Sequence, residues 1–342
     1  PRSSSAASDV YKRQGKYRML ISRISVLGAG AWGSALAHML AELNHEVILW
    51  GRSFETINNI NKHHKNERYF GKLKLSSKIK ATTDLRIACS SQIYLLVVPV
   101  NAIQKVANEC APLIQSSSKV ICCAKGFEQT TGNLLSNELS KIFPEKNLAY
   151  LSGPTFAAEV VKGFPSAATL AMKDLLDSQH LAQQLSSKTF RIYSSSDLVG
   201  VQVGGALKNV LAIASGMARG AGFGENSQAA LITRGLSEMQ RLATALGGSS
   251  ETLSGLSGLG DVLLSCSSRQ SRNFLFGEHL GNGYDQYSAR EKIGGIVEGW
   301  FSASSVMKKQ KELGIDLPIC KTVYDILSVS YTHLRAHETK RN

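Results

Sequence analysis

The segment ISVLGAGAWGSALAHML, residues 24–40, decides how this chain of 342 residues folds. Its apolar start predicts a short buried strand, a glycine-rich turn follows, and the residues from Ser34 onward predict a helix. Gly28, Gly30 and Gly33 have the G-x-G-x-x-G spacing. The first glycine permits a tight turn, the second lets the backbone approach a pyrophosphate, and the third lets the helix pack close to its strand. The helix N-terminus then faces the phosphates with free N–H groups, so the segment predicts dinucleotide binding.

The rest of the chain divides into two regions by its pattern. Strand and helix patterns alternate up to about Ser196, which predicts a mostly parallel sheet with helices on both faces, and only helix patterns follow. The polar, basic sequence from Asn58 to Arg68 predicts a loop. We therefore predict an α/β fold with four segments: a non-native or disordered tail over 1–20, a Rossmann-like NAD(P)-binding domain over 21–196, an all-α catalytic domain over 197–327, and a second such tail over 328–342.

Composition limits the classes of protein to consider. Hydrophobic residues make up 43% of the chain and the mean hydropathy is −0.07, as in soluble globular proteins. The longest apolar run, Ile93–Val100, is too short to cross a bilayer, and no hydrophobic signal segment precedes the first strand. The six cysteines lack metal-ligand spacing. These features predict a reduced, cytoplasmic protein without membrane insertion and without a metal site.

The net charge of +13 suggests an anionic partner. Residues 1–20 contribute +4 and residues 328–342 contribute +2, so the body of the chain carries +7. Its basic residues are dispersed, without the basic stripe and interleaved aromatics that favour nucleic-acid binding. We therefore expect a small anionic ligand and no nucleic acid.

Cofactor choice depends on the residue that follows the second predicted strand, Val47–Trp50. A dinucleotide without a 2′-phosphate would pair its ribose with a carboxylate there. The sequence LWGRS has Arg52 at this place, and a guanidinium suits a phosphate. The sequence predicts NADPH as the preferred cofactor and NADH as the second choice, unless Arg52 is only a surface residue of a loop.

One apolar helix contains an unexpected charge. In VGVQVGGALKNVLAIASGMARG, residues 199–220, Lys208 lies among apolar residues, with Gly204 and Gly205 one turn before it. A nicotinamide enzyme needs a group that protonates the substrate carbonyl, and the sequence offers no convincing His–Asp pair. A lysine can serve because burial and a second cation lower the pKa of an ammonium. Lys208 and Lys125, which follows an apolar strand at the carboxyl edge of the sheet, are the candidates, although each alone could be a structural cation.

The segment GLSGLGDVLLSCSSRQSRNFLFG, residues 255–277, supplies further candidates. Asp261 could be the N-cap of a helix or could orient a lysine ammonium, and the sequence does not separate the two roles. Arg269, Arg272 and Asn273 form a compact set of donors suited to a phosphate.

Seven motifs make the chain resemble the NAD(P)-dependent glycerol-3-phosphate dehydrogenases of the bacterial type. In chain order they are GAGAWG, KGFE, SGPTFAAE, VGVQVGGALKNVLAIASG, GLGDVLLSC, SRN and IVEG, and the resemblance covers about Ile21–Leu327. It implies reversible reduction of dihydroxyacetone phosphate to sn-glycerol 3-phosphate, for glycerophospholipid synthesis, by a homodimer. Members of the family continue beyond this point with a further helical segment, where this chain has an unrelated tail.

The same resemblance assigns roles to particular residues. Lys208 would accept the proton when glycerol phosphate is oxidised, with Lys125 and Asp261 as the other catalytic groups, and Gly204 and Gly205 would clear space for the substrate. The implied substrate contacts are Lys125, Gly153, Thr155, Lys208, Asp261, Ser271, Arg272 and Asn273. The implied cofactor contacts are Gly28, Gly30, Ala31, Trp32, Gly33, Arg52, Lys125, Ala157, Arg272, Ile296 and Glu298.

Two other functions stay open at this point. One is a lysine-dependent dehydrogenase that acts on a β-hydroxy acid or a sugar acid, whose carboxylate could also use Arg272. The other is a non-catalytic NADPH-binding sensor, which would bind the cofactor without turnover. Intact Lys125, Lys208 and Asp261 argue against the sensor.

Overall fold

The computed structural model describes residues 22–338, with side chains for residues 22–328, so the predicted tail over 1–20 lies outside the described residues. One eight-stranded sheet has the order β3-β2-β1-β4-β5-β6-β7-β8, and its pairs are parallel except for β6 with β7. This confirms the predicted mostly parallel sheet. The strands are β1 (Arg23–Leu27), β2 (Glu46–Trp50), β3 (Lys80–Thr82), β4 (Ile93–Leu96), β5 (Lys119–Cys122), β6 (Leu148–Ser152), β7 (Ser166–Met172) and β8 (Phe190–Ser195).

Helices cover both faces of the sheet. Because successive strand residues point to opposite faces, Ile24 and Val26 of β1 enter one apolar core while Leu27 enters another. The helices of this region are α1 (Ala31–Glu42), α2 (Phe54–His63), α3 (Glu67–Phe70), α4 (Leu85–Ala88), α5 (Val100–Cys110), α6 (Leu135–Leu139), α7 (Ala157–Val161) and α8 (Leu175–Leu185).

The prediction of a loop from Asn58 to Arg68 is wrong. Helix α2 runs through most of it, because Ser53 Oγ caps the helix by accepting from the Thr56 N–H at 3.2 Å. Ile57 and Ile60, which share one helix face, are buried against the sheet and hold the helix in place despite its polar sequence.

The chain after β8 is helical among the described residues. Its helices are α9 (Leu198–Gly220), α10 (Glu225–Ala245), α11 (Ser250–Leu253), α12 (Asp261–Ser267), α13 (Arg272–Gly281), α14 (Gln286–Ile293), α15 (Glu298–Leu313) and α16 (Pro318–Glu338). Phe127 and Leu134, from the segment after β5, pack into the same apolar core as these helices. The boundary predicted at residue 196 therefore separates the strands from the helices but does not separate their cores.

Helix α9 is the centre of the helical region. It is long and apolar enough to cross a membrane, and among the described residues no other helix is. However, 83% of its most apolar stretch of 18 residues is buried inside the protein, against the neighbouring helices and the sheet. A core helix of a globular protein has the same properties.

The second predicted tail, over 328–342, does not begin where the sequence suggested. Helix α16 starts at Pro318 and continues to Glu338, well beyond Leu327. The residues SVSYTHLRAHE contain neither glycine nor proline, so no residue in this stretch ends a helix that has already formed.

Candidate active site

Two lysines share one buried carboxylate. Asp261 is 0% exposed; its Oδ1 accepts from Lys208 Nζ at 2.5 Å and its Oδ2 accepts from Lys125 Nζ at 2.6 Å. The lysine side chains keep 12% and 17% of their surface exposed, respectively. Gly260, not Asp261, is the N-cap of α12. Of the two roles left open for Asp261, the structure therefore selects the orientation of lysine ammonium groups.

Lys125 comes from the carboxyl edge of the sheet. It lies three residues after the end of β5, and its ammonium also donates to the Gly153 carbonyl, at the end of neighbouring β6, at 2.8 Å. A side chain at Gly153 would meet Ala168 Cα at 2.8 Å, and its φ is +156°, so only glycine fits easily. Thr155 Oγ1 donates to the same carbonyl at 3.3 Å. The predicted substrate contacts Gly153 and Thr155 thus lie beside Lys125.

The role predicted for Gly204 and Gly205 is wrong. A Cβ on Gly204 would lie 2.2 Å from the Ser257 carbonyl oxygen, and a Cβ on Gly205 would lie 2.8 Å from Ser152 Oγ and 3.3 Å from Lys125 Cγ. Protein atoms already occupy the space that these glycines leave open. Because these glycines have no side chains, the segment before Asp261 and the stem of Lys125 can approach α9 closely. This approach brings Asp261 and Lys125 to Lys208.

Sequence reasoning missed two polar residues of this site. Ser265 Oγ accepts from Lys208 Nζ at 3.0 Å, and its position four residues after Asp261 on α12 could have revealed it. Asn209, which follows Lys208 and is 6% exposed, donates to the Lys125 carbonyl at 3.3 Å. A polar residue next to a lysine in an apolar helix was the available signal.

The electrostatics of the site bear most clearly on Lys125. Burial lowers the pKa of Lys125 to about 8, because its ammonium loses hydration. The Asp261 carboxylate opposes this change, whereas the Lys208 ammonium adds to it by like-charge repulsion. Near neutral pH the cluster therefore holds two ammonium groups against one carboxylate, and a ligand with negative charge would balance it.

The glycine-rich turn has the shape that a dinucleotide requires. Gly28 has a φ of +133°, and a Cβ on Gly33 would lie 1.8 Å from the Gly28 carbonyl oxygen, so both glycines are needed for the turn and for helix packing. No atom lies within 4 Å of a Cβ on Gly30, which leaves room for a pyrophosphate. The N–H groups of residues 31–33 precede the first hydrogen bond of α1, from Ser34 N–H to the Gly30 carbonyl, and lack partners within the helix.

Other predicted cofactor contacts lie around this turn. Ala31 and Trp32 begin α1, and the indole N–H of Trp32 is buried without an acceptor among the described residues. Ala157 begins α7, whose residues pack against α1. Arg52 is exposed just after β2 and has no ion pair among the described residues. These residues fit a dinucleotide that spans from the turn to the end of β2.

A second group of predicted residues lies at the starts of α13 and α15. The Glu298 carboxylate accepts from the Val100 N–H, and burial raises the pKa of Glu298 while the charge of nearby Arg272 opposes the rise. Asn273 donates to Asn209 Oδ1 at 2.9 Å and accepts from the Gly299 N–H at 3.0 Å, so it links this group to the lysine site.

Three further residues that the sequence singled out have different surroundings from one another. Ser271 is the N-cap of α13 and accepts from the Phe274 N–H at 3.3 Å. Ile296 is 41% exposed in the segment before α15. Arg269, predicted as a phosphate donor, instead pairs with the Glu278 carboxylate of α13 through both guanidinium Nη2 and Nε at 2.9–3.2 Å.

Comparison with known proteins decides between the candidate families. A sequence model described as the N-terminus of NAD-dependent glycerol-3-phosphate dehydrogenase matches residues 23–177, and one described as its C-terminus matches residues 197–337. The chain belongs to the NAD-dependent glycerol-3-phosphate dehydrogenase family. This confirms the resemblance that the sequence motifs indicated.

Individual glycerol-3-phosphate dehydrogenases match nearly the whole chain. The glycerol-3-phosphate dehydrogenase (NAD(P)+) of Brucella canis is 43% identical over 312 residues, which are 91% of this chain and 94% of that protein. That of Parvibaculum lavamentivorans is 43% identical over 306 residues, which are 90% of this chain and 92% of that protein. A solved glycerol-3-phosphate dehydrogenase from Coxiella burnetii has a TM-score of 0.85 at 35% identity, covering 92% of this chain and 98% of that one.

The two family models correspond to the two regions of the fold, the sheet region and the helical region. The glycine-rich turn and the sheet form the part that matches the N-terminal family model, and helices α9 to α15 lie in the part that matches the C-terminal one. The lysine–aspartate cluster joins both parts, because Lys125 comes from the first and Lys208 and Asp261 come from the second. Among the described side chains no group of three His, Cys, Asp or Glu residues is placed to hold a metal ion.

Proposed function

We propose that the chain catalyses the reversible NAD(P)H-dependent reduction of dihydroxyacetone phosphate to sn-glycerol 3-phosphate. The observation that carries the proposal is the Asp261 carboxylate shared by Lys125 and Lys208, at 2.6 and 2.5 Å. Family membership supports the substrate, and the shape of the glycine-rich turn supports the dinucleotide. The hydroxy-acid alternative loses its support because the chain belongs to the glycerol-3-phosphate dehydrogenases.

The chain's own residues would each have a definite task. A bound nicotinamide supplies or accepts the hydride. Lys208 donates its ammonium proton to the carbonyl oxygen during reduction and removes the hydroxyl proton in the reverse direction. Asp261 holds the two ammonium groups in place, and Lys125 stabilises negative charge on the substrate oxygen. Arg272 and the remaining amide hydrogen of Asn273 bind the phosphate, while Ser271 presents the start of α13 to it.

The glycine-rich turn would hold the dinucleotide. Gly28, Gly30 and Gly33 shape the turn, the N–H groups of Ala31 and Trp32 bind the pyrophosphate, and Arg52 binds a 2′-phosphate. The remaining contacts would come from Lys125, Ala157, Arg272, Ile296 and Glu298. The exposed guanidinium of Arg52 supports NADPH as the preferred cofactor, with NADH as the second choice.

The proposal extends to assembly and location. An exposed apolar groove of 540 Å³ lies between α9, α10, α13 and α16, and Phe223 on its rim is 60% exposed. Large exposed apolar patches usually mark interaction sites, and the resemblance to the family implies a homodimer. Sedimentation of the purified protein tests this. We place the enzyme in the cytoplasm, where its product would supply glycerophospholipid synthesis.

The direct test is the loss of NADPH absorbance when dihydroxyacetone phosphate is added to the purified protein. Turnover that depends on the phosphorylated ketone supports the proposal. Turnover with a panel of keto acids instead would support the hydroxy-acid dehydrogenase, and NADPH binding without any turnover would support the sensor.

Arg52→Asp is expected to weaken NADPH binding by about 1.5–3 kcal/mol, the value of a hydrogen bond to a charged group, and to leave NADH binding nearly unchanged. The reason is that only NADPH carries the phosphate that the guanidinium would contact. Titration of both dinucleotides by fluorescence measures the two dissociation constants. Equal weakening of both would show that Arg52 serves the fold or the shared part of the cofactor.

The Michaelis constant for dihydroxyacetone phosphate is expected to stay level up to about pH 8 and to rise above it. Lys125, whose pKa is lowered to about 8, loses its charge in that range, so the site loses a cation that binds the anionic substrate. Initial rates between pH 6 and about 9.5, at saturating NADPH, measure the profile. A Michaelis constant that stays level throughout would remove Lys125 from substrate binding.

A further inference from the structure

A concentrated basic segment lies outside the proposed chemistry. Residues 62–74 contain five basic side chains and one carboxylate, Glu67. We call this segment the basic lip; its basic residues are Lys62, Lys65, Arg68, Lys72 and Lys74. Four of them are exposed, and Lys65 is half-buried. Sequence alone shows the same charge as a run in a loop, which is usually just a solvated surface.

The structure places the basic lip against the glycine-rich turn. Asn66, which is 1% exposed, donates through Nδ2 to the Ala29 carbonyl at 3.0 Å and to Ser34 Oγ at 2.8 Å. Ala29 lies between the first two glycines of the turn. A hydrogen bond from the Leu75 N–H to the His64 carbonyl, at 2.7 Å, joins the end of the lip to its beginning. Its charges are therefore held at the edge of the proposed dinucleotide site.

Among the described residues, most charges of the basic lip form no ion pair. Lys65 pairs with Glu67 at 3.6 Å, whereas Lys62, Arg68, Lys72 and Lys74 have no ion pair among the described residues. The Arg68 guanidinium lies over the Tyr69 ring, 5.6 Å from its centroid, and keeps its charge. Exposed Arg52 extends the same positive surface to the end of β2.

We propose that the basic lip attracts the dinucleotide before it docks and favours NADPH over NADH in the rate of association. The inference rests on the proposed use of NAD(P)H by this site. The 2′-phosphate adds about −1.5 to −2 charges at neutral pH, so NADPH gains more from the positive field. Such steering raises association rates by about 10–10³-fold at low salt and fades as the Debye length falls, from about 10 Å at 0.1 M to 3 Å at 1 M.

The test compares two triple variants of the full-length protein by stopped-flow fluorescence with NADPH and with NADH. The lip variant is Lys62→Gln/Lys72→Gln/Lys74→Gln. The control, Lys78→Gln/Lys146→Gln/Lys173→Gln, removes the same charge from the opposite edge of the sheet. This is the edge where the parallel strands begin. Lys78 donates a hydrogen bond to Asn44, which precedes β2, and Lys146 precedes β6. Lys173 follows β7, which runs antiparallel to β6 and therefore ends at this edge.

At an ionic strength of about 20 mM, the lip variant is expected to bind NADPH about 3–10 times more slowly than the wild type, with a smaller effect on NADH. The control variant should bind both at wild-type rates, and all differences should vanish near 0.5 M salt. Equal slowing in both variants, or slowing that persists at high salt, would overturn the inference alone. A wild-type protein that binds neither dinucleotide would overturn the proposed function and this inference with it.

Discussion

Lys208→Met is expected to slow hydride transfer by about 10²–10⁴-fold, the usual contribution of a general acid–base group. Methionine keeps the length of the side chain within the apolar helix but cannot give or take a proton. Single-turnover oxidation of NADPH by dihydroxyacetone phosphate measures the effect. Binding of NADPH should persist, because the glycine-rich turn lies in the part that matches the N-terminal family model, whereas Lys208 lies in the other part.

The stability of this variant separates a catalytic from a structural lysine. After the substitution Asp261 still accepts from Lys125 at 2.6 Å, so its buried charge keeps one partner. We therefore expect a folded protein with a modest loss of thermal stability. Lys321→Met, which removes an exposed lysine paired with Asp325, is the matched control and should be fully active. Near-normal turnover by Lys208→Met, or loss of activity only through unfolding, would make Lys208 a structural residue.

Asp261→Asn is expected to abolish activity and to lower the free energy of unfolding by about 3–5 kcal/mol, the cost of breaking a buried ion pair. The carboxylate is 0% exposed and contacts two ammonium groups, so its loss leaves two cations facing each other without compensation. Denaturant unfolding measures the stability, and single-turnover kinetics measure the activity.

The double variant Asp261→Asn/Lys208→Met sharpens this test. Removing one of the two ammonium groups relieves their repulsion, so the double variant should be more stable than Asp261→Asn and remain inactive. The two substitutions would then be non-additive in stability, as expected for residues in direct contact. Additive losses, or an Asp261→Asn protein as stable as the wild type, would contradict the shared-carboxylate description of the site.

Much of the dinucleotide-binding half could be predicted because its signals are local. The G-x-G-x-x-G spacing favours a tight turn before a helix, and continuous apolar strands that alternate with helices favour a parallel sheet covered on both faces. The positions of Lys125, after a strand, and Lys208, in an apolar helix, also followed from short stretches of sequence. The motif resemblance named the family, which the comparisons confirmed.

Local pattern failed where a neighbour in space decided the outcome. Asp261 had two equivalent roles in sequence, and only the approach of Lys125, 136 residues away, and Lys208, 53 residues away, selected one. Gly204 and Gly205 suggested room for a substrate, but distant backbone and side-chain atoms fill it. The sequence by itself indicated most of the strands and helices and the chemical groups that they carry, although it missed α2 and the length of α16. The tertiary structure decided which groups meet, because the packing of elements far apart in the chain sets the distances on which hydrogen bonds, desolvation and charge repulsion depend.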